Sequence, residues 1–139
     1  MWIRIFLPVA WATLIWWASS WQPSSGETGF WESYLHNGAH IGIFGVLAAL
    51  IYLCIAEVLE RPAVSALVLS ALYGASDELH QMSVPGRHAS LLDVISDCIG
   101  AALFLAALVW LRAGQALHRS LVLLLIPFAL GSALLATLF

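Results

Sequence analysis

The chain has 139 residues, of which 62% are hydrophobic and only 9% are charged. Soluble domains are about 45–50% apolar and about 25% charged, so this composition, with a mean hydropathy of +0.93, predicts an integral membrane protein instead. Five Arg, no Lys and a formal net charge of -3 leave no basic surface for a phosphate backbone, which excludes nucleic acid as a partner.

The predicted elements are membrane-spanning helices. Such a helix needs about 20 mostly apolar residues, and the charged residues fall between five stretches of about this length. The predicted spans are Trp2–Trp21, His40–Ala56, Pro62–Met82, Leu91–Leu111 and Leu121–Leu138. The chain is thus predicted to form a single all-α domain, residues 1–139, built as a polytopic helix bundle. Close helix contact is expected at the glycines of the second span, which are Gly38, Gly42 and Gly45.

Turn and cap residues indicate where these spans begin and end. Pro62 suits the first turn of the third span, where a missing N–H costs nothing. Pro85-Gly86 favours a tight turn after that span, and Ser90 suits the N-cap of the fourth. Residues 22–36 contain Pro, Gly, Ser and two Glu, so we expect a polar loop there, with a short interfacial turn around Phe30, Trp31 and Tyr34.

The arginines indicate an orientation. With five spans, four of the five Arg lie on one side of the membrane, and only Arg87 lies on the other. Positive residues prefer the cytoplasmic side. The sequence therefore predicts an N-terminus inside the cell, a C-terminus outside, and a loop containing Arg87 at the outer surface.

Ionisable residues inside spans are costly, and they usually face the interior of a bundle. Here they form three groups, each at the outer end of a different span, and several members are four residues apart and so share a helix face. The groups are His36 and His40; Asp77, Glu78, His80 and Gln81; and Asp93 and Asp97. We therefore predict that the three groups, with Arg87, converge on one polar site.

Roles within this site follow from the residue types, with alternatives left open. Glu78 and Asp77 can form a general acid/base pair, or they can pair with Arg87 and cap a helix end. Arg87 can clamp a phosphate or carboxylate, or it can be a structural partner of Asp93 or Glu78. The catalytic set is completed by His40 and Asp93, and the substrate-binding set contains Arg87, Gln81, His80, Asp97 and His36.

No metal or other cofactor is predicted. Imidazole and carboxylate groups suit Zn or Mn, but the sequence has no dense ligand motif, and the ligands would come from separate helices. Hydrogen bonding between helices is the alternative use of these side chains.

Part of the sequence resembles a known family. The residues that carry the resemblance are His40, Phe44, Tyr73, Ser76-Asp77-Glu78-Leu79-His80-Gln81, Val84-Pro85-Gly86-Arg87, Ser90, Asp93, Asp97 and Gly100. This pattern, over about residues 36–105, resembles the VanZ-like membrane proteins. Two positions depart from it: Asn37 replaces a common Lys, and Asp97 stands where Asn is frequent. Both departures make the site more acidic.

The resemblance implies a bacterial cytoplasmic-membrane protein of the cell envelope, since the family's namesake is associated with resistance to teicoplanin. We expect the chain to bind or modify an envelope amphiphile at the outer leaflet, either a phospholipid or a lipid-linked cell-wall precursor. Whether it is an enzyme is left open. The alternative is a non-catalytic accessory subunit with a structural polar cluster, which would have a membrane protein or a second copy of the chain as its partner.

Overall fold

The structure is a computed structural model that describes residues 2–21, 29–87, 89–113, 126–127 and 129–134. Within these ranges the chain forms helices, turns and no strand. The four helices are α1 (Trp2–Ser19), α2 (Phe30–Ile55), α3 (Pro62–Gln81) and α4 (Leu91–Ala113). The prediction of an all-α chain is confirmed for this part of the protein.

Two stretches are long and apolar enough to cross a membrane, Gly38–Ile55 in α2 and Leu91–Arg112 in α4. This finding is compatible with a membrane protein. The count of five spans and the inside position of the N-terminus stay predictions. Of the fifth predicted span, 121–138, the structure describes residues 126–127 and 129–134, and these are helical.

The second helix begins earlier than the sequence indicated. α2 starts at Phe30, so the prediction of a polar loop is wrong for residues 30–36, while residues 22–28 lie outside the described chain. Gly29 directly precedes the helix, and no Pro lies between Gly29 and the last residue of the helix, Ile55. Trp31 and Tyr34, three residues apart, also make an edge-to-face ring contact at 6.2 Å. These features let the helix extend through polar sequence.

The start of α3 and the connection from α3 to α4 are built as predicted. Pro62 is the first residue of α3, and Gly86 has a φ of 82° in the turn that follows the helix, a conformation that favours glycine. The Ser90 hydroxyl accepts a hydrogen bond from the backbone N–H of Asp93 at 3.3 Å. Ser90 therefore caps α4.

The centre of the bundle is the interface between α2 and α4. α2 packs against each of the other three described helices, and its contact with α4 is the most extensive. A Cβ atom added at Gly100 would lie 2.2 Å from the carbonyl oxygen of Ile41, and one added at Gly45 would lie 2.3 Å from the ring of Phe104. The two helices approach this closely only because both positions are glycine.

The first helix is attached to α2 and α3 by polar contacts. The indole N–H of Trp11 donates to the Ile43 carbonyl at 3.0 Å. The Tyr73 hydroxyl donates to the Ala12 carbonyl at 2.5 Å. These bonds lie at the same level of the bundle and hold one face of α1 against its neighbours.

Replacing Tyr73 by phenylalanine should weaken the attachment of α1. A single buried hydrogen bond contributes about 0.5–1.5 kcal/mol, so Tyr73→Phe should lower the free energy of unfolding by about 1 kcal/mol. The measurement is denaturant unfolding in detergent micelles. Tyr52→Phe is the matched control, because Tyr52 belongs to the α2–α4 core and makes none of the contacts to α1. An equal loss in both variants would show that the Tyr73 bond does not hold α1.

Candidate functional site

A cavity of about 390 Å³ lies between α1, α2 and α3. Most of its wall is apolar, and this part consists of Trp11, Leu14, Ile15, Ala18, Ala39, Ile43 and Phe44. The remaining lining residues are polar and comprise Ser19, His40, Asp77, Gln81 and Arg87. Leu14, Ala18 and Ala39 are exposed, so the cavity opens on the surface of the bundle.

Asp77 is the central residue of the polar end, and it is only 1% exposed. The hydroxyl of Ser19 and the side-chain amide of Gln81 each donate to Oδ2 of Asp77 at 2.9 Å. The other carboxylate oxygen, Oδ1, is buried and has no hydrogen-bond partner among the described residues. Buried polar atoms are normally paired, so this oxygen retains the capacity to accept a further hydrogen bond.

Arg87 follows the Gly86 turn and forms the cationic part of the cavity wall. Its Nη1 donates to Oε1 of Gln81 at 3.2 Å, and its Nε donates to the Trp21 carbonyl at 3.3 Å. In the described part of the chain no carboxylate forms an ion pair with Arg87; the ion pairs there are Arg4–Glu57 and His40–Asp97. The alternative in which Arg87 pairs with Glu78 or Asp93 is therefore wrong.

His40 connects the cavity to the interior of the bundle. Its Nδ1 lies 3.1 Å from Oδ1 of Asp97, which joins α2 to α4, and its ring is nearly parallel to that of Phe44. Asp97 is 2% exposed, and its second oxygen has no hydrogen-bond partner among the described residues. A Cβ atom at Gly74 would lie 2.9 Å from that oxygen, so the absence of a side chain on α3 makes room for the carboxylate.

Glu78 lies on the α4 side of α3 and does not line the cavity. Its Oε2 accepts the backbone N–H of Ser90 at 2.8 Å, and its Oε1 is buried without a partner in the described chain. The predicted alternative that Glu78 caps a helix end is close to this arrangement, because Ser90 directly precedes α4. Asp97, Asp93 and Glu78 all interact electrostatically with His40, and Asp97 contacts the imidazole directly.

The predicted site residues thus occupy three places. His40, Asp77, Gln81 and Arg87 line the cavity, whereas Glu78, Asp93 and Asp97 do not line it and interact electrostatically with His40. His80 is outside both groups: it stacks on Trp16 with ring centroids 3.9 Å apart, and its Nε2 lies 2.9 Å from the Ser20 hydroxyl. The side chain of His36 lies outside the described residues.

The contribution of α1 to the cavity could hardly be predicted from the sequence. Ser19 hydrogen-bonds Asp77, and a single Ser at the end of an apolar span carries no functional signal of its own. The apolar wall supplied by Trp11, Leu14, Ile15 and Ala18 could not be distinguished in the sequence from residues that face lipid. Both contributions depend on which face of α1 packs inward.

Three carboxylates, Glu78, Asp93 and Asp97, interact electrostatically with His40. In the described ranges, no group of three or more His, Cys, Asp or Glu is arranged to hold a metal ion. The carboxylates there face one imidazole, which suits hydrogen bonding and proton movement.

A second polar cluster lies at the opposite end of the bundle. Nη1 of Arg4 is 2.6 Å from Oε2 of Glu57, and both side chains are exposed. The hydrogen bond from Arg4 lowers the pKa of the Glu57 carboxyl. The Arg112 guanidinium lies 5.4 Å from the centre of the Tyr52 ring. This cluster contains two cations and one acid, and it shares no residue with the cavity.

A family model described as VanZ/LLP1 matches residues 3–112, which reach from the beginning of α1 almost to the end of α4 and include every lining residue of the cavity. No curated protein and no solved structure matches the chain.

Proposed function

The chain belongs to the VanZ/LLP1 family, and we propose that it binds an envelope amphiphile in the cavity between α1, α2 and α3. The amphiphile is a phospholipid or a lipid-linked cell-wall precursor. The observation that carries this proposal is the division of one cavity into a long apolar wall and a charged polar end. An acyl chain fits the first part, and a headgroup fits the second.

Two further properties of the cavity support an occupant that arrives from the lipid phase. The cavity opens on the side of the bundle through the exposed residues Leu14, Ala18 and Ala39. Its volume falls in the range of about 300–1,000 Å³ that is common for small-molecule sites. With the N-terminus inside the cell, as the distribution of arginines predicts, the polar end would lie at the outer leaflet. This is the surface that a glycopeptide drug reaches, so a role in glycopeptide resistance belongs to the same proposal.

If the occupant is modified, the geometry favours His40 as the group that moves a proton. Histidine is the most frequent general acid/base, and His40 is the member of the His–Asp pair that lines the cavity. Asp97 positions the imidazole, and Glu78 and Asp93 act through it. Asp77 and Arg87 hold the headgroup. Glu78 is less suited to the reaction itself, because one of its oxygens accepts a hydrogen bond from the backbone N–H of Ser90.

A non-catalytic accessory role is the second candidate, and a specific observation favours it. The Glu78–Ser90 bond and the His40–Asp97 pair both connect separate elements of the bundle, as expected of polar groups that stabilise a fold. In this role the protein has a membrane protein or a second copy of itself as its partner.

Blocking the cavity tests the binding proposal. Ala18 lines the cavity, whereas Ala10 is an exposed residue of α1 that does not. We expect a lipid to co-purify with the wild-type protein. Ala18→Trp should abolish this lipid, because the indole occupies its space, and Ala10→Trp should retain it. The measurement is native mass spectrometry of protein purified in mild detergent. Equal lipid occupancy in the two variants would overturn the proposal.

A comparison of envelope lipids separates the two candidate functions. Cells that lack the protein would be complemented with wild type or with His40→Gln at matched protein levels, and their lipids profiled by mass spectrometry. An enzyme predicts a lipid species that changes with wild type and not with the variant. Identical profiles, together with a lower yield of folded His40→Gln protein, would favour the accessory role.

A further inference from the structure

Among the described residues at the polar end of the cavity, Asp77 is an acid with which no cation forms an ion pair. Asp77 is buried, and its two hydrogen-bond donors, Ser19 and Gln81, are neutral and both bind Oδ2. Oδ1 has no partner in the described part of the chain. A buried carboxylate is costly unless a cation or further donors satisfy it. The site therefore suits a ligand that brings a positively charged donor to Oδ1.

At the same end of the cavity, Arg87 is a cation with which no described acid forms an ion pair. Arg87 donates to the Gln81 amide and to the Trp21 carbonyl, which are neutral acceptors, and no described carboxylate pairs with it. A guanidinium has five N–H donors, and the contacts to Gln81 and Trp21 use two of its nitrogens. Arg87 is therefore suited to bind an anionic group, and phosphate matches the fork geometry of its donors.

Gln81 sets the distance between these two charged groups. Its Nε2 donates to Asp77 at 2.9 Å, while its Oε1 accepts from Arg87 at 3.2 Å. The acid and the guanidinium are thus separated by a single side-chain amide. A ligand that satisfies both must carry its own cation and anion only a few bonds apart.

We propose that the occupant of the cavity is an aminophospholipid, whose phosphate binds Arg87 and whose primary ammonium binds Oδ1 of Asp77. Ethanolamine and serine headgroups share this chemistry. The inference rests on the proposed function, because it assigns a headgroup to the amphiphile in the same cavity. A glycerol headgroup supplies the phosphate and no cation, and a choline headgroup supplies a cation that has no N–H to donate.

The test is lipid titration of the purified, delipidated full chain, followed by native mass spectrometry. The probes are phosphatidylethanolamine, phosphatidylserine, phosphatidylcholine, phosphatidylglycerol and diacylglycerol with identical acyl chains. Wild type should bind phosphatidylethanolamine about tenfold more tightly than the choline or glycerol lipid, since one charge-assisted hydrogen bond is worth about that factor. The serine lipid shows whether the site tolerates an additional carboxylate.

Two variants assign the preference to its residues. Asp77→Asn should remove the preference for ethanolamine over choline and retain phospholipid over diacylglycerol. Arg87→Gln should remove the preference for phospholipid over diacylglycerol. Arg112→Gln is the matched control, because Arg112 belongs to the cluster at the opposite end of the bundle, and it should leave every ratio unchanged.

The outcomes distinguish a failure of the headgroup assignment from a failure of the proposed function. Equal affinity of wild type for the ethanolamine, choline and glycerol lipids, with binding still abolished by Ala18→Trp, overturns the headgroup assignment and leaves the proposed function standing. Binding that Ala18→Trp does not affect contradicts both. The wild-type titration alone decides the headgroup assignment if Asp77→Asn fails to fold.

Discussion

Replacing Gly100 by alanine is expected to remove most of the folded protein, whereas the same change at Gly42 leaves it intact. The added Cβ atom at Gly100 would lie within 3 Å of three backbone atoms of Ile41. A backbone cannot rotate away from a clash as a side chain can, so α2 and α4 must separate along the most extensive interface of the described bundle. Overpacking of this kind typically costs about 1–3 kcal/mol, and the loss of neighbouring contacts adds to it.

The control variant makes the comparison specific. No described atom lies within 4 Å of a Cβ atom built at Gly42, and alanine favours a helix over glycine by about 1 kcal/mol. Gly42→Ala should therefore unfold at the wild-type temperature or slightly above it. The measurements are the monodisperse fraction after size-exclusion chromatography in detergent and the midpoint of thermal unfolding. Wild-type behaviour of Gly100→Ala would show that α2 and α4 are not packed this closely.

The second large effect is expected at the His40–Asp97 pair. His40→Ala removes the hydrogen-bond partner of the Asp97 oxygen Oδ1. The other oxygen of Asp97, Oδ2, already lacks a partner in the described chain. The carboxylate would then be buried with both oxygens unsatisfied, and breaking a buried pair in this way costs about 3–5 kcal/mol. Asp97→Asn should cost much less, because an amide oxygen still accepts a hydrogen bond from the imidazole.

A double-mutant cycle measures the pair itself. His40→Ala, Asp97→Ala and the double variant would be compared by denaturant unfolding in detergent. The double variant should be less destabilised than the sum of the single variants, because it leaves no charge or donor behind. Strictly additive losses would mean that the two side chains do not interact, and they would place the connection between α2 and α4 in the glycine contacts instead.

The residues of the candidate site were largely predictable, because ionisable groups in apolar spans are rare and costly. The spacing of four residues placed Asp77 and Gln81 on one helix face, and the structure joins them by a hydrogen bond. The same spacing could not separate the residues that line the cavity from Glu78, Asp93 and Asp97, which do not. That division depends on how α3 is rotated between α1 and α4, which residue spacing within one helix does not encode.

Helix contacts were less predictable than the polar residues. Gly38, Gly42 and Gly45 were all expected to allow close packing, and among the described contacts only Gly45 does so, against Phe104. The closest approach is at Gly100, which lies on the partner helix. A glycine permits close contact only where a neighbour is present, and the sequence of one helix does not locate its neighbour. The start of α2 was missed for a related reason, since polar sequence can continue a helix.

The hydrogen bond between Glu78 and Ser90 bears on the order in which the parts of the bundle assemble. Its two residues are twelve positions apart within one hairpin, whereas the His40–Asp97 pair joins residues that are 57 positions apart. Contacts between residues close in sequence form earlier than distant ones. The hairpin of α3 and α4 can therefore form with the Glu78 carboxylate already hydrogen-bonded. The imidazole of α2 reaches its carboxylate only in the later step that brings α2 and α4 together.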